Sequence, residues 1–109
     1  MANIYRNAKV DFTNTDNTTV YTSPSNSRAI VKSILVSDDS GSGDSINVTL
    51  TDASAAVFSL FKTKTIGSNA TTELISQPII LQESEILKAQ ATTAGRLHIV
   101  VSLLEINRD

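Results

Sequence analysis

From position 4 onward the chain alternates. Ile4, Ala8, Val10 and Phe12 fall on one parity and Tyr5, Asn7, Lys9 and Asp11 on the other, with Arg6 the exception. A period of two marks a half-buried strand, so residues 4–12 are predicted as the first. The polar residues 13–17 make a turn, and residues 18–22 form a short second strand. Pro24 closes it, because proline fixes φ and cannot donate to a ladder. Ile46, Val48 and Leu50 alternate with Asn47, Thr49 and Thr51, and Leu87, Ala89 and Ala91 alternate with Lys88, Gln90 and Thr92. Each set predicts a strand with one wet face. Shorter strands are expected at residues 72–75 and 78–81.

Three segments break this rule by being apolar on both faces. In residues 28–37, Ala29, Val31 and Leu35 share one parity while Ile30, Ile34 and Val36 share the other. Residues 57–61 and 96–106 behave alike, the last with Leu97, Ile99, Val101 and Leu103 on one side and Val100, Leu104 and Ile106 on the other. Eight or nine strands at spacings near ten residues, with no amphipathic helix, predict an all-β antiparallel β-sandwich. In such a sandwich one face of each strand should be polar. Either a loop covers the second apolar face, or that face is a subunit interface. The second reading makes Val31, Leu35, Val57, Phe61, Val100 and Leu104 interface candidates. Ile4 and Tyr5 join them, because residues 2–6 are placed to act as an arm onto a neighbour. Strand order, jelly roll or immunoglobulin-like, stays open at this point.

Composition narrows the function. The chain has 109 residues, enough for one domain with a real core, and 27 of them are Ser or Thr, which suits turns and wet strand faces. No apolar run approaches the ~20 residues of a membrane span, and no charged-then-apolar leader opens the sequence. With no cysteine there is no disulfide, thiolate metal site or thiol nucleophile. The net charge of −2 argues against a nucleic-acid partner.

Candidate chemistry is thin. Asp38, Asp39 and Asp44 flank two glycines in DDSGSGD, which lacks EF-hand spacing and reads as a solvated hairpin loop. Glu83 and Glu85 read as turn residues rather than a glycosidase pair, which needs a concave site. His98 is the single histidine, too little for a catalytic triad. Lys62 and Lys64 read as charges blunting an edge strand. Tyr5 and Tyr21 are the only aromatic platforms open to a sugar. No catalytic, cofactor or metal residues are expected, and the protein is read as no enzyme.

The opening MANIYRNAKVD, VYTSP at 20–24, AIVKSILVS at 29–37, NATTEL at 69–74, PIIL at 78–81 and EILKA at 85–89 resemble small virion structural proteins of tailed bacteriophages, of the marine and cyanobacterial phage type. The likeness spans nearly the whole chain and is one of strands and turns. It implies a jelly-roll-like sandwich, assembled in the bacterial host cytoplasm and carried in the virion, most of all as a capsid decoration (cement) protein. The partners it implies are the major capsid protein, or other virion proteins, and further copies of the chain, with a trimer favoured. Burial of apolar surface across capsid seams, at about 25 cal/mol per Å², would be the mechanism. A neck, tail or fibre adaptor is the alternative within the virion. A carbohydrate-binding module is the alternative outside it.

Overall fold

A computed structural model describes residues 2–107. Nine strands follow in order: β1 (Ala2–Asp11), β2 (Thr18–Thr22), β3 (Ser27–Asp38), β4 (Asp44–Thr51), β5 (Val57–Ile66), β6 (Thr71–Glu73), β7 (Ile79–Leu81), β8 (Ile86–Ala91) and β9 (Leu97–Asn107). No helix occurs among the described residues. The strands form two antiparallel sheets. Sheet A has the order β1-β9-β3-β6, with β7 also on β3, and sheet B has the order β2-β8-β4-β5. An immunoglobulin-like sandwich keeps its first two strands in one sheet. Here β1 and β2 lie in different sheets.

The inward parity of each sheet fills the core. In sheet A the register stacks Val10, Ile99 and Val36 in one row and Ala8, Val101 and Ile34 in the next. Sheet B answers with Ile46 beside Ala91, Val48 beside Ala89 and Leu50 beside Leu87. The small alanines of β8 leave room for the branched residues opposite, and each fully buried Ile or Leu stabilises the fold by roughly 1.5–3 kcal/mol. Phe12, just past β1, is buried too, and its N–H donates to the Leu97 carbonyl at 3.1 Å.

One residue reorganises sheet A. β3 carries an extra residue against β9, because Val31 pairs with Leu103 while Ser33 pairs with Ser102. A bulge of this kind reverses the parity beyond it. Ala29 and Val31 point inward before it, and Ile34 and Val36 after it, all fully buried. The expectation that Val31 and Leu35 share a face is therefore corrected: Val31 is core and Leu35 is surface. The edge beside the bulge is interrupted as well. β7 pairs with Ala29–Val31 and β6 with Leu35–Ser37, and Glu73 serves the gap between them. Its Oε2 accepts the Ile34 N–H at 2.7 Å, and its Oε1 accepts the Ser33 hydroxyl.

β5 runs five residues further than predicted, because the polar sequence Lys62-Thr63-Lys64-Thr65 hides a strand. It is an edge strand with two register breaks against β4, and Lys62 and Lys64 are exposed on it. Thr63 takes a positive φ of 54° there, and its N–H is accepted by Asn47 Oδ1 at 2.6 Å.

Candidate interaction surface

Sheet A's outer face is built from β3, β9, β1 and the short β7. The register sets Ile80, Ile30, Leu104 and Tyr5 side by side across all four strands. Beyond the bulge a second row sets Leu35 beside Val100, flanked by Glu73 and Lys9. Tyr5 is 75% exposed, Ile80 52%, Val100 39% and Leu35 38%. Lys32, at the bulge, holds its ammonium 5.4 Å from the centre of the Tyr5 ring, a cation–π contact that covers the ring's face with charge. Sheet B is the opposite in character. Its corresponding row reads Thr19, Lys88, Thr49, Ser59. The apolar surplus is thus confined to one face, apart from Val57 and Phe58 at the start of β5, 63% and 54% exposed.

The eight interface candidates separate accordingly. Tyr5, Leu35, Val100 and Leu104 come together on the outer face of sheet A. Val31 is fully buried. Phe61 is half-buried and packs against the core from β5, because it pairs with the inward-facing Val48. Ile4 lies on the inward parity of β1, opposite Glu105. Val57 belongs to sheet B, opposite Thr51. Residues 2–6 are no free arm, since Ala2 through Arg6 pair in register with Asn107 through Leu103. Ile30 and Ile80 were missed. Parity had set Ile30 against Leu35, and only the bulge brings the two to one face.

Polar groups fix the rims. Glu105 is buried between the sheets near one end of the sandwich. It accepts the Tyr21 hydroxyl at 2.6 Å and meets Arg6 Nε at 3.3 Å. Burial, then the hydrogen bond to Glu105 and its charge, push the Tyr21 phenol well above the usual range, with Arg6 opposing. Tyr21 is consequently no sugar platform, since its ring packs on the core and its hydroxyl is engaged.

At the other end, Asp38 organises the loop between β3 and β4, which crosses from sheet A to sheet B and so is not the hairpin loop that the sequence suggests. Its carboxylate accepts the Ser40 N–H at 2.9 Å, the Ser40 hydroxyl at 2.5 Å, the Gly43 N–H at 2.7 Å and the Asn69 N–H at 3.2 Å. These donors, the Ser40 hydroxyl foremost, lower its pKa to about 2. Gly43 is required there, with φ of +72° and room for a Cβ only 3.2 Å from the Ile66 carbonyl oxygen. The loop carboxylate is thus committed to donors from the protein itself. His98, outward on β9, lies between Asp11 (3.1 Å) and Asp39 (3.7 Å) at the loop end of the same outer face. Among the described residues no group of three or more His, Cys, Asp or Glu is placed to hold a metal ion.

Neither a protein-family model nor a curated protein matches the chain. Solved structures do match its fold. The chain is similar to a protein in the acid-stable capsid structure of Helicobacter pylori bacteriophage KHP30, with a TM-score of 0.58 and 12% identity over 99% of this chain and 95% of that one. It is similar also to a protein of Bacillus endospore appendages, described as disulfide-linked pili, with a TM-score of 0.57 and 9% identity over 98% of this chain and 89% of that one. A pentameric capsid protein from metagenomic phage sequences aligns with a TM-score of 0.47 and 12% identity, over 91% of this chain and 59% of its own length. At these identities the likeness is one of fold.

Proposed function

We propose that this chain is a non-enzymatic structural protein of a bacteriophage virion, acting as a capsid decoration protein that seats the outer face of sheet A on the head. The observation that carries this reading is the one-sided distribution of apolar side chains: the row Ile80, Ile30, Leu104, Tyr5 on sheet A against Thr19, Lys88, Thr49, Ser59 on sheet B. Contiguous exposed apolar surface on a small protein marks an association site. Two features of the chain support it. With β6 and β7 counted as one interrupted strand, the two four-stranded sheets have the strand order of a jelly roll, an architecture that includes viral capsid domains. The fold likeness to a phage capsid structure points the same way. The likeness to the endospore appendage is as close in fold, but disulfide-linked assembly is not open to a chain without cysteine.

On this reading the partner is the major capsid protein, and the bond is apolar burial bordered by Lys9, Lys32 and Glu73. Quantitative mass spectrometry of purified virions, normalised to the major capsid protein, tests it. Hundreds of copies in simple ratio to the shell subunit are expected. A few to a few dozen would move the protein to the neck, tail or fibres, and complete absence would overturn the virion reading.

A further inference from the structure

The sandwich has four lateral edges, and three are blunted in ways that natural sheets use to prevent pairing. β2 has five residues and a register shift at Val20. β5 has two register breaks and the exposed lysines 62 and 64. The β6/β7 edge is split by residues 74–78, which end in Pro78. β1 alone is long and unbroken: ten residues pair with β9 without a bulge, and the strand contains no proline.

The ladder itself says which groups are open. Phe12 N–H donates to the Leu97 carbonyl, and antiparallel pairs alternate. The backbone groups of Ile4, Arg6, Ala8 and Val10 therefore face β9, while those of Asn3, Tyr5, Asn7 and Lys9 face away. Among the described residues no strand pairs with that side of β1.

We infer that this edge pairs with β1 of a second copy about a two-fold axis at Asn7, joining two A sheets into one. The side chains select both the occupant and the register. A two-fold antiparallel pair keeps inner and outer faces aligned only when opposing residues have the same parity. Centred on Asn7, such a pair sets Tyr5 opposite Lys9 and Asn3 opposite Asp11 on the outer face, and Ile4 opposite Val10 and Arg6 opposite Ala8 on the inner. No pair sets like charges opposite each other, residues 3–11 all find partners within β1, and the backbone groups of Tyr5, Asn7 and Lys9 are all used. Centring on Arg6 brings two guanidinium groups together, which is unfavourable. Centring on Ala8 pairs only residues 5–11 within β1 and sets Tyr5 against Asp11. In the Asn7 register the outer row Ile80, Ile30, Leu104, Tyr5 continues into Lys9, Val100 and Leu35 of the second copy, so pairing lengthens the apolar face. The pair differs from the trimer favoured by the resemblance, and it stands independently of the virion reading.

The test is the solution mass of the full chain by sedimentation equilibrium at micromolar concentration. A dimer is expected for the wild type and a monomer for Asn7→Pro. That substitution removes an N–H that faces solvent in the single copy, a position where edge strands tolerate proline, and its circular dichroism should match the wild type. Asn7→Cys puts one thiol per copy on the axis, and a short bismaleimide should then link two chains covalently. Thr19→Cys, on the outer face of sheet B, should not be linked. A monomeric or trimeric wild type, a dimer that survives Asn7→Pro, or equal crosslinking at both positions would overturn the proposal. A monomer that still loads onto particles would remove the pair and leave the virion reading standing.

Discussion

The Tyr21 hydroxyl donates to Glu105 Oε1 at 2.6 Å across the interior, tying the edge strand of sheet B to the central strand of sheet A. Just past β2, the buried Ser23 hydroxyl donates to the Ser27 carbonyl of β3 at 3.0 Å. Tyr21→Phe keeps the ring's packing but deprives a buried carboxylate of a hydrogen-bond donor. We expect a loss of about 1–2 kcal/mol, read as a fall in Tm on the order of 5–10 °C. Arg6→Ala should cost less, because Arg6 is half-exposed and its ion pair is screened by solvent.

The same pair sets an alkaline limit. The Tyr21 phenol ionises above its ordinary value in the folded chain, so folding favours the protonated form. That contribution is complete below about pH 10 and is lost as pH rises further. Ultraviolet titration, with Tyr5→Phe to isolate the signal, should show Tyr21 resisting ionisation where a free phenol ionises, until the protein unfolds. Ionisation of Tyr21 in the folded state where a free phenol ionises would count against the buried hydrogen bond.

Asp38 sets the acid limit. Its folded pKa of about 2 lies below the ordinary 3.8, so its contribution is present above about pH 4 and disappears as pH falls through 2. Asp38→Asn should lower the urea midpoint at pH 7, and the gap from wild type should close toward pH 2. A gap that is constant with pH would mean that the loop does not depend on the charge.

The bulge in β3 makes neighbouring residues unequal. Ile34→Ala should cost about 2–5 kcal/mol, as for a fully buried side chain, while Leu35→Ala should stay within about 1 kcal/mol. Denaturant unfolding of the two variants checks this directly, and the reverse order would place the bulge elsewhere. Glu73→Ala should cost about 1–3 kcal/mol, since the Ile34 N–H loses its acceptor.

Loading on particles should respond where stability does not. Leu35→Asp and Val100→Asp change side chains that touch solvent in the single copy, so thermal unfolding should move little. If sheet A seats on the head, both variants should bind purified decoration-free particles at least tenfold more weakly. Undiminished binding would exclude this face.

These contrasts also show what the alternation of residues could and could not reveal. β4 and β8 are legible because each keeps strict parity on its inner side, and β1 because Arg6 alone interrupts its inner side. β3 reads as a strand in the sequence but with its faces mixed, because parity counting carries straight through Lys32-Ser33, where the chain holds one residue more than its neighbour. The end of β5 is silent in the sequence because Lys-Thr-Lys-Thr has no apolar position to mark an inward face. An edge strand needs none. Half of the eight candidate residues lie on the apolar face. Ile30 and Ile80 reach it only through cross-strand pairing with Leu104 and with each other, and pairing between distant strands leaves no trace in a single sequence.

The position of β9 between β1 and β3 has a consequence for synthesis. Each residue from Ala2 to Asp11 pairs only with β9 in its sheet, the last of the nine strands to be made. Until β9 is made, β1 has no strand of sheet A to lie against, and β3 has only the three-residue β6 and β7. Sheet A therefore closes after translation of β9, in one late event dominated by contacts distant along the chain, the kind that slows folding. Until then Ile30, Ile34, Leu35 and Val36 are available to wrong partners, so the yield of folded protein should depend on growth temperature and on chaperone supply more than its small size suggests.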